Sequence, residues 1–200
     1  MRIDHFIHCV SYPCTDVRHD AFAVPGVTIT AAEISVVLIS ECAPRDPADS
    51  YYAKGKPLFL ETTVQAFNDA GLAVKTWKDL LQKGIYLTTA VKCAKASQAI
   101  QTATVQRCSL LLEQELALFP NVKAYLLMGD VAIRAINTIA RRSGEGRIIP
   151  AGSTYKIRGD TYTWRGARVY PSYLQAGPSF YIEKSKRRMI VEDIRAACSV

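Results

Sequence analysis

Ile34-Ser35-Val36-Val37-Leu38-Ile39 is a short apolar run rich in β-branched residues, and Ser40-Glu41-Cys42-Ala43-Pro44 follows it directly. An apolar run of this length predicts a strand that is buried on both faces of a sheet. Similar runs occur three more times, at residues 85–91, 123–128 and 167–170. The pattern therefore predicts a mostly parallel, four-stranded central sheet.

Helical patterns separate these four runs. The clearest helix begins after Asp130, a favourable N-cap, and carries apolar residues at the spacing of one buried face. Weaker helical patterns cover residues 60–70, 105–118 and 186–198. This order of elements predicts an α/β fold of three layers, α/β/α, with helices on both faces of the sheet. Residues 148–166 break the pattern, and we expect a β-hairpin there.

The composition limits the class of protein. Two hundred residues with 49% hydrophobic content suffice for one packed core, so we expect residues 1–200 to form a single, monomeric domain. The 25 Lys and Arg exceed the 18 Asp and Glu, and the resulting charge of +7 favours an anionic partner. No apolar run approaches the roughly 20 residues that span a bilayer. We therefore expect a cytoplasmic protein with no membrane partner and with reduced cysteines.

Polar and cysteine-containing segments follow the four predicted strands. They cover residues 40–46, 88–93, 129–130 and 170–174. In open α/β sheets, ligands bind beyond the carboxyl ends of the strands. Because parallel strands bring these ends to one edge, we expect the four segments to line one cleft.

Four sequence motifs lie at or near these strand ends. They are Ser40-Glu41-Cys42-Ala43-Pro44, Gly55-Lys56-Pro57-Leu58-Phe59, Tyr86-Leu87-Thr88-Thr89-Ala90-Val91-Lys92-Cys93 and Tyr170-Pro171-Ser172-Tyr173-Leu174. In this order they resemble motifs of the uracil-DNA glycosylase superfamily, most closely its iron–sulfur branch, family 4. The third motif is the strongest match, and the resemblance runs over about residues 9–195. It implies a uracil-DNA glycosylase-like fold and an enzyme that hydrolyses the N-glycosidic bond of a deaminated or damaged base, uracil or a related one, in DNA.

The resemblance also implies roles for individual side chains. Glu41 is the candidate catalytic carboxylate, which would orient water or stabilise positive charge on the sugar. Tyr170 stands where the family has a histidine that donates to the base, and a phenol can also donate. Thr89 replaces the asparagine that reads uracil, so the paired donor and acceptor of an amide are lost. Phe59 is either the aromatic that stacks on the base or a core residue, and Cys42 is expected to line the pocket.

The residues expected to contact DNA lie at the end of the second predicted strand, after the last strand and on the last helix. Leu174 matches an apolar wedge that holds an extruded base out of the duplex, or it is simply buried. The basic cluster 184–188 either contacts phosphates or forms a solvated helix face. The residues expected to face DNA, single- or double-stranded and containing a damaged base, are Lys92, Ser172, Leu174, Lys184, Lys186 and Arg187.

Four of the six cysteines, Cys9, Cys14, Cys93 and Cys108, occur where the iron–sulfur branch has its cluster ligands. Four convergent thiolates are what a [4Fe–4S] cluster or a tetrahedral zinc site requires. Four residues separate the first two cysteines, where the family typically has two, so we expect this loop to bulge at Pro13. The alternative is that these are unrelated buried thiols that bind no metal.

Two other functions are open at this point. A non-catalytic nucleic-acid-binding protein of the same fold would explain why three pocket positions differ from the family pattern. A nucleotide-processing α/β enzyme is disfavoured, because the chain has neither a Gly-rich dinucleotide fingerprint nor a P-loop.

Overall fold

The central sheet has six strands in the computed structural model, which describes all residues from Met1 to Val200. The strands are β1 (Val17–Arg18), β2 (Val36–Ala43), β3 (Ile85–Lys95), β4 (Ala124–Met128), β5 (Tyr162–Trp164) and β6 (Ala167–Ser172). Their order in the sheet is β1-β3-β2-β4-β6-β5. The four inner strands are parallel, as predicted, whereas β1 and β5 pair antiparallel to them at the edges. The prediction of four core strands missed β1, which is too short to show a periodic pattern, whereas β5 coincides with residues 161–164, the second strand of the expected hairpin.

Helices cover both faces of this sheet. They are α1 (Leu58–Asp69), α2 (Trp77–Gln82), α3 (Thr102–Leu116), α4 (Asp130–Arg142), α5 (Thr154–Ile157), α6 (Ser179–Ile182) and α7 (Lys184–Ala197). One face packs against α3 and α4, and the other packs against α1 and α7. The three-layer α/β/α prediction is confirmed. None of the helices combines the length and the apolar character that crossing a membrane would need.

Strand β2 shows why the sheet is buried on both faces. Val37 and Ile39 belong to the core beneath α3 and α4, while Val36 and Leu38 belong to the core beneath α1 and α7. Each buried aliphatic side chain contributes about 1.5–3 kcal/mol of transfer free energy. The strand is therefore fixed from both sides, and its polar end at Ser40 and Glu41 is placed accurately at the carboxyl edge of the sheet.

The expected hairpin over residues 148–166 is wrong in its first half. Residues 154–157 form the short helix α5, because Ile157 packs into the core from this turn. A hairpin does exist, but it joins β5 to β6 through a tight turn at Arg165 and Gly166. Both turn residues have positive φ, of 50° and 79°, which is the conformation that such two-residue turns require.

Candidate active site

Glu41 lies near the end of β2, directly against the first turn of α4. Gly129 precedes this helix with φ of 99°, a conformation that favours glycine. A Cβ atom at Gly129 would stand 2.5 Å from Oε1 and 2.8 Å from Cγ of Glu41. Only glycine therefore leaves room for this carboxylate. The positive end of the α4 dipole also favours a negative charge at this place.

The Glu41 carboxylate is half-buried and has no cationic partner within 4.0 Å. It opens into a cavity of about 500 Å³ that also contains Cys42, Phe59 and Leu174. The structure thus brings together three residues that the sequence predicted for the base pocket and Leu174, which it predicted as a DNA contact. We call this space the Glu41 cavity.

The other charged groups of the Glu41 cavity divide into two kinds. The acids are engaged with the backbone, since Asp46 accepts from Ala48 N at 2.9 Å and Asp49 accepts from Leu58 N at 3.1 Å. The cations Arg45 and Lys95 are exposed and line the same cavity. The cavity lining therefore carries three carboxylates, two of them hydrogen-bonded to backbone N–H groups, and two exposed cations.

The Cys42 thiol lines the Glu41 cavity but is not an activated nucleophile. Burial raises the pKa of this thiol above its ordinary value of 9.0. Because thiolates are the reactive form, a raised pKa keeps the sulfur protonated and unreactive near neutral pH. Cys42 can shape the pocket without taking part in covalent chemistry.

Thr89 lines a second, adjacent cavity of about 310 Å³, together with Phe22 and Tyr51. This space shares only the turn Ala43-Pro44 with the Glu41 cavity. Thr89 therefore does not face Glu41 across a single pocket, contrary to the expectation that all the strand ends line one cleft. The turn after β2 therefore separates two cavities at the carboxyl edge of the sheet: the Glu41 cavity and this second one, which we call the Thr89 cavity.

A buried polar network, which the sequence analysis missed, connects the walls of these cavities. Gln175 Nε2 donates to Tyr51 Oη at 2.9 Å and to Thr63 Oγ1 at 3.1 Å, and it also reaches Ser40 Oγ at 3.3 Å. Burial raises the pKa of Tyr51 to about 12, so its hydroxyl stays protonated and bonded to Ser40. In the sequence, the one sign of this network was the polar Ser40 at the end of an otherwise apolar strand. The network links β2, α1 and the loop after β6.

The prediction that Lys92 contacts DNA is wrong. Its side chain is 0% exposed and forms an ion pair with Glu115 of α3, which is equally buried. Lys92 Nζ also donates to Thr88 Oγ1 and to the carbonyl of Thr89, both at 2.7 Å. The reason is that β3 is covered on both faces, so a lysine in its interior must find an internal partner.

The predicted roles of Tyr170 and Ser172 are also contradicted. Strand β6 continues to Ser172, so neither residue lies in the loop beyond the strand. The Tyr170 hydroxyl donates to the Ala196 carbonyl at 3.3 Å, near the end of α7, and Ser172 Oγ is fully buried and donates to Asp193 at 2.5 Å. Both hydroxyls are therefore engaged with α7, although Ser172 itself lines the small cleft that also contains Glu41.

Only part of the basic cluster at the start of α7 is free of ion pairs. Lys184 is exposed, whereas Lys186 pairs with Glu183 at 2.5 Å and Arg187 pairs with Asp69 of α1 at 2.5 Å. Lys186 also lines a cleft of about 220 Å³ that contains Glu41 and Leu174. The cluster therefore stands beside the Glu41 cavity, at the same edge of the sheet.

The four predicted cysteine ligands lie around one cavity of about 420 Å³, which we call the cysteine cavity. Its lining includes Cys9, Cys14, Cys93 and Cys108. Burial, and then the neighbouring thiols, raise the pKa of Cys93 to about 12, and the backbone N–H of Lys92 donates to Cys108 Sγ at 3.2 Å. No three His, Cys, Asp or Glu side chains of the chain are arranged to hold a single metal ion.

The expected bulge between the first two cysteines is present, one residue earlier than predicted. Tyr12 has φ of 44°, a left-handed conformation that turns the chain ahead of Pro13. Arg107 of α3 donates to the Pro13 carbonyl at 3.1 Å and holds this loop in place. The turn brings Cys9 and Cys14 to the same cavity despite their longer spacing.

The fold and this edge of the sheet define a class of protein that sequence comparison also identifies. The profile of the Uracil DNA glycosylase superfamily matches residues 29–195, and the chain belongs to this superfamily. A curated relative, the type-5 uracil-DNA glycosylase of Thermus thermophilus, is 34% identical over 73 residues. That match covers 34% of this chain and 33% of the relative, so the aligned stretch spans about a third of the relative's length.

Proposed function

We propose that the protein is a DNA glycosylase that hydrolyses the N-glycosidic bond of a deaminated or damaged base, uracil or a close relative. The observation that carries this proposal is the Glu41 carboxylate, which has no ionic partner and opens into a cavity at the carboxyl edge. Membership of the Uracil DNA glycosylase superfamily and the type-5 relative support the same chemistry. The target nucleotide leaves the base stack and enters the Glu41 cavity.

In the proposed reaction, the bond between the sugar C1′ and the base nitrogen breaks, and the bonding electrons leave with the base. Positive charge develops on the sugar, and the Glu41 carboxylate stabilises this charge or orients the attacking water. The water oxygen then bonds to C1′, and its proton passes to solvent or to the departing base. The products are the free base and an abasic site.

The base itself meets other side chains of the cavity. Phe59 is half-buried and lies 5.6 Å from Tyr51, between ring centroids, so its ring is fixed where a base could stack on it. Because Tyr170 is turned toward α7, the negative charge on the departing base is balanced by Arg45 and Lys95 instead. Thr89, in its separate cavity, offers a single hydroxyl and no bidentate contact.

The test of this proposal is base release from oligonucleotides that carry uracil, hypoxanthine or xanthine. Glu41→Gln keeps the shape of the side chain and removes its charge, so we expect base release to fall by about 10²- to 10⁴-fold. DNA affinity and its salt dependence should stay nearly unchanged. The matched control is Glu33→Gln, which changes an exposed acid before the opposite end of β2. Equal activity of the wild-type protein and Glu41→Gln would refute the proposal.

We also propose that the cysteine cavity holds a [4Fe–4S] cluster. Four thiols around a cavity of about 420 Å³ suit a group larger than one ion, and the N–H donor on Cys108 would stabilise a ligating thiolate. Such a cluster would crosslink the N-terminal segment to β3 and α3. A broad absorbance band near roughly 400 nm with about four irons per chain supports this proposal. Zinc in place of iron, or protein without metal, contradicts it.

A second candidate function is favoured by one observation. Tyr170 is bonded to α7 and Thr89 lies outside the Glu41 cavity, so two of the base contacts implied by the family are missing. A non-catalytic protein of the same fold, which binds nucleic acid, would need neither contact. In that case Glu41→Gln leaves every measured property unchanged, and no oligonucleotide loses a base.

Three expectations stay predictions: a single domain over residues 1–200, a monomeric state and a cytoplasmic location.

A further inference from the structure

The side chain of Gln175 connects segments that form different walls of the Glu41 cavity. Gln175 lies in the loop after β6, between Leu174 and Ala176, which both line that cavity, and it is itself 0% exposed. Its amide nitrogen donates to three hydroxyl groups, which belong to β2, to the segment between β2 and α1, and to α1. One buried amide therefore joins three separate parts of the chain next to the cavity.

The first of these hydroxyls belongs to Ser40, which directly precedes Glu41 on β2. Strand β2 pairs with both β3 and β4 as far as Ile39, but from Ser40 onward it pairs with β3 alone. The sheet therefore holds the backbone at Glu41 from one side only. The Ser40 hydroxyl is fully buried and bonded to both Tyr51 and Gln175, so it provides a second attachment at this point of the strand.

The other two hydroxyls fix the aromatic wall of the cavity. The ring of Tyr51, whose hydroxyl accepts from Gln175 at 2.9 Å, lies 5.6 Å from the ring of Phe59 between centroids. Thr63 accepts from the same amide at 3.1 Å and donates to the carbonyl of Phe59 at 2.7 Å. Because Phe59 is the ring on which we propose that the base stacks, the network reaches from the strand that carries the carboxylate to the stacking surface.

Stability alone does not account for this amide. Gln175 Oε1 is buried and accepts no hydrogen bond from another group of the chain. Such an acceptor is destabilising, because burial has cost it the hydrogen bonds that it makes to water. The three hydroxyls also have other partners, since Ser40 and Tyr51 bond to each other and Thr63 bonds to a carbonyl. An apolar side chain of the same length would therefore fill this space at little cost to folding.

We infer that Gln175 is a positioning residue for the reaction at Glu41, and that its amide keeps the carboxylate and the Phe59 ring at a fixed separation. Gln175 is not part of the cavity lining, so it acts through Ser40 and Tyr51. A displacement of about 1 Å that originates far from the reacting atoms can lower a rate by about 10²-fold. This inference rests on the proposed glycosylase function.

The first experiment measures base release by Gln175→Met, which keeps the length of the side chain and removes its hydrogen bonds. We expect the single-turnover rate to fall by about tenfold or more, and the Kd for the same oligonucleotide to change by less than about twofold. The matched control is Asn137→Leu. It removes another buried amide, which bonds to the N–H and the carbonyl of Ile149, both at 2.9 Å, and lines neither the Glu41 cavity nor the Thr89 cavity. The control should lower the urea midpoint more than Gln175→Met does and keep the wild-type rate per folded molecule.

A second experiment tests whether the groups act as one unit. Ser40→Ala removes the hydroxyl and leaves Glu41 unchanged, so we expect it to lower the single-turnover rate as well. Groups in one hydrogen-bond network do not contribute additively. The double variant Gln175→Met and Ser40→Ala should therefore be little slower than the slower of the two single variants. Rate losses that multiply in the double variant would show independent effects and would overturn the inference.

The outcomes separate this inference from the proposed function. If the wild-type protein releases a base and Gln175→Met does so at the same rate, the inference alone is wrong. It is also wrong if Asn137→Leu loses as much rate per folded molecule, or if the loss in Gln175→Met appears in Kd and not in the rate. A wild-type protein that releases no base from any oligonucleotide refutes the proposed function and, with it, the positioning role.

Discussion

The cysteine cavity and the Glu41 cavity lie on the same α/β/α fold, but the side chains that line them differ in chemical character. The cysteine cavity is lined by thiols and by aromatic and aliphatic side chains such as Tyr12, Phe22 and Val91. The Glu41 cavity contains an unpaired carboxylate and two exposed cations, Arg45 and Lys95. One is suited to hold a group permanently, and the other is suited to admit a charged ligand and release it.

Lys92 links the cysteine cavity to the Thr89 cavity. Its backbone N–H donates to Cys108 Sγ in the cysteine cavity, while its ammonium group holds the carbonyl of Thr89, which lines the neighbouring cavity. A buried ion pair with Glu115 lies between them. One buried residue of β3 therefore contacts the linings of both the cysteine cavity and the Thr89 cavity.

The largest expected effect is on the cysteine cavity. Cys93→Ser removes the thiol at the centre of the predicted ligand set, so we expect complete loss of bound iron and a lower thermal midpoint. Base release per folded molecule should stay within a factor of a few, because Glu41 is not changed. Cys198→Ser, which replaces a thiol that does not line this cavity, is the control. Iron retained at wild-type content in Cys93→Ser would contradict the assignment.

The next largest effect is expected for Lys92→Met. The substitution leaves the Glu115 carboxylate buried without its cation, which typically costs about 3–5 kcal/mol of unfolding free energy. Urea unfolding measures this loss. The double variant Lys92→Met and Glu115→Leu removes both charges and should recover most of the stability. A loss below about 1 kcal/mol in the single variant would mean that the ion pair contributes no more than an exposed one.

Gly129→Ala tests the placement of Glu41. The new Cβ atom would overlap the carboxylate, and φ of 99° is strained for alanine, so we expect a loss of roughly 1–3 kcal/mol in stability and of about 10² in base release. Gly144→Ala is matched, since this residue also has positive φ, at the other end of α4, but has open space around it. It should lose stability and keep activity. Equal activity losses in both variants would assign the effect to strain alone.

The smallest effect concerns Glu113, which joins α3 to Arg142 of α4 and to Arg165 at the β5–β6 turn. Burial alone would raise the pKa of Glu113, but the two arginines outweigh it and hold the pKa below its ordinary 4.5. The stabilisation is therefore present above that pH and is lost as pH falls through the lowered pKa. Glu113→Gln should cost about 1 kcal/mol at pH 7.

The difference between Glu113→Gln and the wild-type protein should shrink when urea unfolding is repeated below pH 4. A difference that is constant with pH would show that packing, and not charge, carries the effect. Neither cavity contains Glu113, so base release and iron content serve as internal controls and should not change.

Sequence reasoning placed side chains better where the local backbone fixes them than where a partner distant in sequence does. The end of β2 was enough to place Glu41, and the resemblance to the family was enough to place the four cysteines around one cavity. Lys92 and Tyr170 failed, because partners far away in the sequence, Glu115 and Ala196, decide where their polar ends go.

The strands and helices also divide into those that the sequence predicted and those that it did not. The inner strands and the long helices were predictable from their apolar periodicity, whereas β1 is too short to show one and β5 was expected only as one strand of the hairpin. The division of the edge into two cavities was not predictable, because it depends on how the turn Ala43-Pro44 packs after β2.

The most direct test of the account is a crystal structure of Glu41→Gln bound to a duplex with a target base that it cannot release. We predict that the extruded base lies in the Glu41 cavity against Phe59, with the sugar C1′ beside residue 41. A base seated in the Thr89 cavity, or DNA bound away from the carboxyl edge of the sheet, would contradict the account.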